Sequence, residues 1–527
     1  MPNRHQFNQY FLKELEKLND NQRDAVTTIE GPVLVIAGPG TGKTHILASR
    51  IGRILMETDT QAHNILCLTF TDAGVTAMRS RLLQLIGPEA HRVHIFTFHS
   101  FCNNIIRRNW EQFGVQEMEL LSDLERIEMV QQILEKLPYE HPLIRGKSDI
   151  YYFNKHLQDL FKRMKTEDWS VALLNEKIDS YLAQLPEREE FKYKVNRKTY
   201  RKGDPKTKEI AEETVRMERL RAAVALYPSY LKAMRDMLRY DYDDMILWVL
   251  RAFEENENLL RNYQEQYLYL LIDEYQDTNG AQNHVLKKLM SFWENPNIFI
   301  VGDDDQAIYE FQGAQLKSLI DFYEQYEQDL KLVVLKENYR SSQHILEASR
   351  AVISENKRRV IHNLQQLGVD KHLIAANAKV AASEIVPKVI EFPNRLHEIT
   401  AIVQQIEALQ KANFPLNQIA IIYAKHKQAK SLVTLLDKKA IPYYTKRRVN
   451  ILETPLIKQV LTLLNYIQRE RFEPYSGEEF LFELLHYPFF NIKARDLARM
   501  SLTLRGQRDQ HWRELIGDVS FLENLKN

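Results

Sequence analysis

The 527-residue chain has only two cysteines, Cys67 and Cys102. That excludes a disulfide scaffold or an all-cysteine metal site and suits a reducing cytoplasm. Net charge is also lacking: 71 lysines and arginines balance 71 acids. Any attraction to nucleic acid must therefore come from local patches. No run approaches the roughly 20 apolar residues that a membrane helix needs. The first residues, "MPNRHQFNQYFLKELEKLND", lack the apolar centre of a signal peptide, so the expectation is a cytoplasmic protein with no membrane partner. What is present, 44% hydrophobic and 27% charged residues, is ordinary globular composition, at a length that calls for several domains.

Short apolar runs recur at 33–38, 65–70, 93–98, 267–273 and 297–303, each followed by a turn and a helical pattern. Runs that are apolar on both faces and alternate with helices predict a parallel sheet covered on each side. A helix-rich segment, 105–235, interrupts them and reads as an insertion. The alternation restarts at "KLVVL" (331–335), "KVIEF" (388–392) and "QIAIIY" (418–423), which predicts a second α/β domain. The expected division is 1–104 with 236–330, the insertion 105–235, a second domain over 331–475, and a helical segment over 476–527.

"VLVIAGPGTGKTHIL" sets Gly38, Gly40 and Gly42 between a strand and a helix. Amide groups of such a turn, backed by a helix N-terminus, cradle phosphate. The loop residues are Ala37, Gly38, Pro39, Gly40, Thr41, Gly42, Lys43, Thr44 and His45, with Ala37 where the strict pattern has glycine. Lys43 would reach the β/γ-phosphates and Thr44 would ligate Mg²⁺. "YLYLLIDEYQDTN" supplies the acidic partner on another strand: Asp273 for the magnesium and Glu274 to deprotonate the attacking water. Hydrolysis of a nucleoside triphosphate is the leading reading.

Together with "VGDDDQAIYEFQGA" (301–314), these stretches resemble the UvrD/Rep/PcrA family of superfamily 1 DNA helicases. Further stretches keep the family's order: "LNDNQRDAV" (18–26), "CLTFTDAGVTAMRSRL" (67–82), "FTFHSF" (96–101), "YDYDDMI" (240–246) and "LKENYRSSQHIL" (335–346). The resemblance implies tandem RecA-like P-loop domains with helical insertions, hydrolysis of ATP with Mg²⁺, and 3′–5′ movement on single-stranded DNA and at single-strand/duplex junctions. It implies that Gln22 reads adenine and Tyr339 stacks on it. It also implies that Gln306 senses the γ-phosphate and that Arg340 reaches that phosphate from the opposite domain. Three residues depart from the family pattern: His45 and Gln312 where arginine is common, and Asp72 where asparagine is.

Candidate contacts to single-stranded DNA are Phe70, Tyr309 and Phe311 as stacking platforms and Thr97 and His99 on the backbone. Phe98 and Phe101 read as core. In the insertion, "FKYKVNRKTYRKGDPKTK" (191–208) sets eight basic residues against one acid, with Phe191, Tyr193 and Tyr200 interleaved. That suits either duplex phosphates or a solvated loop. The family's last two motifs have no counterpart in the chain. The sequence therefore reads as a fragment of a longer helicase or a shortened relative, expected to bind nucleotide and unwind poorly. The motor part of a RecB/AddA-type helicase–nuclease, and a DNA-binding remnant without productive hydrolysis, remain open beside the helicase.

Overall fold

The computed structural model describes residues 4–114, 118–144, 149–196, 199–307, 317–356, 371–445, 451–504 and 511–517. The apolar runs of the N-terminal part become strands: β1 (Val33–Ala37), β2 (Ile65–Thr69) and β3 (His94–Thr97). Two short strands, β4 (Glu119–Leu120) and β5 (Arg239–Tyr240), come next, and then β6 (Tyr269–Ile272), β7 (Ile298–Gly302) and β8 (Lys331–Leu335). Six of them build one parallel sheet in the order β3-β2-β6-β7-β1-β8.

Side chains alternate across this sheet with the period of two expected of strands. Leu34, Ile36, Leu68, Leu270, Ile272 and Ile300 face one buried layer of helices, while Val33, Val35, Cys67, Leu271, Phe299 and Val301 face another. Both faces are dry, which is why the strands read as unbroken apolar runs. Phe98 and Phe101 lie in the first layer, at 2% and 1% exposure, so both are core.

The insertion has its own core of Met129, Val130, Leu134, Phe161, Val224 and Tyr230. Its two ends are closed by the parallel pair β4–β5, with Glu119 opposite Arg239.

The segment 331–335, expected to open a second domain, instead lies in the first sheet, in register with β1 from Val33↔Lys331 to Ala37↔Leu335. Val333 and Leu335 complete the apolar layer beside β1, and that burial outweighs sequence proximity to the later segments. Two further strands, β9 (Glu337–Asn338) and β10 (Ile374–Ala375), pair with each other just beyond it. The compact N-terminal unit runs to Lys388.

The second unit, Val389–Asn527, is helical among its described residues. Helices Arg395–Lys411 and His426–Lys438 pack through Ile399, Val403, Ile406, Leu432 and Leu436. The helices from Glu478 onward gather around Leu481, Leu485, Leu497 and Met500. The strands expected at 388–392 and 418–423 are not formed. Val389 and Ile422 stand fully exposed at 102% and 95%; Ile419 and Ile421 pack on the helical core, but neither segment has a ladder partner among the described residues.

Candidate active site

Every strand of the large sheet points the same way, so the loops after β1, β2, β6, β7 and β8 gather along one edge, where parallel α/β sheets bind ligands. After β1 the chain turns through Gly40 (φ 71°) and Gly42 (φ 93°) into helix Lys43–Glu57. Both angles favour glycine. At Gly40 even a methyl group would lie 2.7 Å from Arg340 Cβ and 2.8 Å from Asn338 Nδ2. The turn is braced from within by the Thr41 hydroxyl, which donates to Gly38 O at 2.8 Å.

Gln22 is fixed by the start of its own helix. Asn19 caps helix Asp20–Thr27, accepting from the Gln22 amide at 2.8 Å, and Gln22 Oε1 accepts from the Asn19 amide at 3.3 Å. Its Nε2 is then directed to Thr41 O at 2.9 Å, on the phosphate loop. Buried Arg50 holds the far end of this helix, donating to the carbonyls of Ala25 and Ile29 with its guanidinium over Phe299.

At the end of β6, Asp273 is buried and Glu274 adopts a left-handed conformation (φ 50°, ψ 46°). A non-glycine residue held there costs conformational energy and is common at functional sites. The turn directs Glu274 Oε2 to Lys43 Nζ at 2.5 Å. Burial, reinforced by the Glu274 charge, pushes the Asp273 carboxyl up to about 7. Burial likewise lifts Asp277 to about 6, again with Glu274 adding to it. Thr44, on the first turn after the loop, and Asp273 are both hard oxygen donors beside an amide cradle, a set that fits Mg²⁺.

Gln276, 1% exposed, links the loops after β6 and β7. It donates to Glu274 Oε2 at 2.8 Å, and its Oε1 accepts from the Asp303 amide at 2.9 Å. Asp303 in turn accepts from the Gln306 side chain. Gln306 is thus tied to the Glu274 carboxylate through Asp303 and Gln276.

Tyr339 and Arg340 come directly after β9 and are sewn to the phosphate loop. The Tyr339 amide donates to Gly40 O at 2.9 Å, and buried Asn338 donates to Pro39 O while accepting from the Arg340 and Ser341 amides at 2.9 and 2.7 Å. The Tyr339 hydroxyl accepts from Asn19 at 3.0 Å, beside Gln22. Arg340 lies in the same compact unit as the loop. The reason is β8, whose pairing with β1 carries the turn after it to the loop.

Other expected residues lie elsewhere. His45 turns from the loop to helix Asp72–Ile86, where its Nδ1 accepts from Arg81 at 2.9 Å. Burial, with the Arg81 charge adding to it, holds its pKa below the usual histidine range. Phe70 and His99 line a separate cavity of about 270 Å³ with Tyr242, Arg126 and Lys162. His99 meets the edge of Tyr242 at 6.1 Å and Asp243 at 4.0 Å. Thr97 is 9% exposed and its hydroxyl caps helix Phe98–Arg108. Tyr309, Phe311 and Gln312 lie outside the described residues.

Tyr242, 57% exposed at the cavity, stands in "YDYDDMI", where the neighbouring acids are the stronger signal. Asn338 and Gln276 carry no signal beyond their neighbours' motifs.

Residues 18–327 match the UvrD/REP helicase N-terminal domain, and 333–476 match the UvrD-like helicase C-terminal domain. The chain belongs to the UvrD/Rep helicase family. The family's fold class is tandem RecA-like α/β domains, of which the six-stranded parallel sheet here forms the first. An ATP-dependent DNA helicase PcrA of Staphylococcus epidermidis is 29% identical over 453 residues, 86% of this chain and 54% of that protein. One from Staphylococcus aureus is 27% identical over the same length. The chain thus spans about half the length of the curated relatives it matches. Among the described residues, no helix is long and apolar enough to cross a membrane.

Proposed function

We propose that this UvrD/Rep family member hydrolyses ATP and uses the energy to move 3′–5′ along single-stranded DNA at duplex junctions. The observation that carries the reading is the 2.5 Å contact between Lys43 of the phosphate loop and Glu274 at the end of β6. Before nucleotide binds, the ammonium neutralises the carboxylate. A triphosphate entering the amide cradle attracts Lys43 and frees Glu274 as a general base. Glu274 then takes a proton from water as the water oxygen bonds to the γ-phosphorus and the bond to the bridging oxygen breaks. Thr44 and Asp273 would hold Mg²⁺, which offsets phosphate charge when bound. Gln306, held through Asp303 and Gln276, positions water or phosphate, and Arg340 offsets charge gathering on the transferred group.

Single-stranded DNA would pass the cavity of Phe70, His99 and Tyr242, with bases on the aromatic faces and phosphates on Arg126 and Lys162. Duplex would meet the basic turn of the insertion, where Tyr193 and Tyr200 stack at 3.5 Å and Lys194, Arg201 and Lys202 are exposed. Arg197 and Lys198 of that turn lie outside the described residues.

The test is the ATPase rate with and without single-stranded DNA in the unaltered chain, Lys43→Ala and Glu274→Gln. DNA-stimulated hydrolysis should fall by at least about 100-fold in both variants. An unaltered chain that hydrolyses nothing with or without DNA would reject the motor and leave a nucleotide-binding remnant.

A further inference from the structure

Lys371 belongs to none of the stretches that carry the chemistry above, yet it is among the most enclosed charges in the protein. Its side chain is 2% exposed, and its Nζ contacts the carboxylates of Asp303, of Asp304 at 2.8 Å and of Asp305 at 2.9 Å. Three oxygens close enough together to grip a metal ion are gripped by an ammonium instead. Burial alone would pull the Lys371 pKa down, but the three carboxylates outweigh it and hold it above the ordinary lysine range.

The cluster opens in two directions. On one side Asp303 holds Gln306 and, through Gln276, reaches Glu274 and Lys43. On the other, Lys371 lies three residues before β10, which pairs with β9 at the root of the Tyr339–Arg340 turn. Between them Leu373 packs on the phosphate loop, so that a methyl group added at Gly38 would lie 2.8 Å from its side chain.

We propose that Lys371 is a positioning residue for hydrolysis: its ammonium joins the Asp303–Gln306 loop to the β9–β10 segment, so that the phosphate-sensing glutamine and the phosphate-facing arginine are set together. The inference rests on the ATPase reading above. Without the ammonium, three neighbouring carboxylates repel, Asp303 swings, and Gln306 and the Gln276 bridge to Glu274 lose their anchor. ADP contacts neither Gln306 nor the attacking water, so its affinity should be spared.

The experiment measures kcat, ADP affinity and the thermal midpoint in Lys371→Met and Lys371→Arg. Because Lys371→Met leaves buried charge unpaired, a compensated variant, Lys371→Met with Asp304→Asn and Asp305→Asn, is measured beside it. In folded Lys371→Met and in the compensated protein, kcat should fall roughly 10- to 100-fold with ADP affinity within about threefold, and Lys371→Arg should recover most of the rate. A kcat within about twofold of the unaltered chain in either protein would overturn the assignment. So would a parallel loss of ADP affinity and thermal midpoint, the mark of a purely structural lysine. If the unaltered chain binds nucleotide without hydrolysing it, the ATPase reading fails separately. The affinity ratio of adenylyl imidodiphosphate to ADP then decides: collapse toward one in the Lys371 variants supports the role, and an unchanged ratio rejects it.

Discussion

Among the described residues of the N-terminal unit, two lysines are buried among aspartates, and they end differently. Lys165, on helix Asn154–Thr166 of the insertion, donates to Asp241 and Asp244 at 2.8 Å each, with its side chain 0% exposed. Asp241 and Asp244 form the capping box of helix Tyr242–Glu255, so the charges close on that helix and on the lysine. The Lys371 cluster does not close: Asp303 passes its contacts on to Gln306 and Gln276, and from there to Glu274. Burial of an ammonium among carboxylates is therefore no sign of function by itself. What the carboxylates touch next separates a fastener from a positioning device. A buried ion pair is costly to desolvate in either case, so its presence argues for fixed geometry more than for stability.

The comparison breaks most sharply at Lys165. Lys165→Met should cost about 3–5 kcal/mol in denaturant unfolding, because two carboxylates are left buried without their cation. Turnover per folded molecule should stay within about threefold, the reverse of the Lys371 pattern. Adding Asp241→Asn and Asp244→Asn should restore stability to within about 1–2 kcal/mol, since asparagine still caps a helix. A lasting loss of turnover in that triple variant would make the first cluster a positioning device too.

A smaller effect lies in the pH dependence. Burial raises Asp244 to about 6, while Lys165 holds Asp241 below the usual carboxylate range despite its burial. With its folded pKa above the unfolded one, Asp244 takes up a proton on folding. Its contribution is fully present below the unfolded value near 4, and is lost as pH rises through about 6. Unfolding free energy measured over that window should fall by on the order of 1–3 kcal/mol from this group, and the slope should flatten in Asp244→Asn. An unchanged slope would show that Asp244 stays ionised throughout.

Much of the site was open to reading from the sequence because its signals are local. The strands β1, β2, β3, β6 and β7 fall within the apolar runs that announced them, and Lys43, Asp273 and Glu274 come from the turns after two of those strands. What escaped depends on distant pairing. Nothing in "KLVVL" says that it will lie beside β1 rather than open a new sheet. The runs at 388–392 and 418–423 have strand composition, but a strand exists only with a neighbour, and these have none among the described residues. Thr97 reads in the sequence as a backbone contact, and the cap it forms on helix Phe98–Arg108 carries no sequence signal of its own. Lys371 lies more than 60 residues from its partners in a stretch, "LGVDKHL", without any pattern.

The finest division lies inside the Lys371 cluster, where the three carboxylates are unequal. Asp303 is 0% exposed and also holds Gln306 and the Asp305 amide, the Asp304 side chain is 2% exposed, and that of Asp305 is 17% exposed. If the cluster acts by positioning, the hold on Gln306 should count for more than charge in single asparagine substitutions, since each removes the same charge. Asp303→Asn should lower kcat most, because the amide replaces an acceptor of Gln306 with a donor or turns it away. Asp305→Asn should change kcat by no more than about threefold and stability by less than about 1 kcal/mol, because its carboxylate is partly solvated and screened. Equal losses at all three positions would mean that net charge alone governs the loop. That outcome would erase the difference between the two buried lysines, because any compensating cation would then serve at either place.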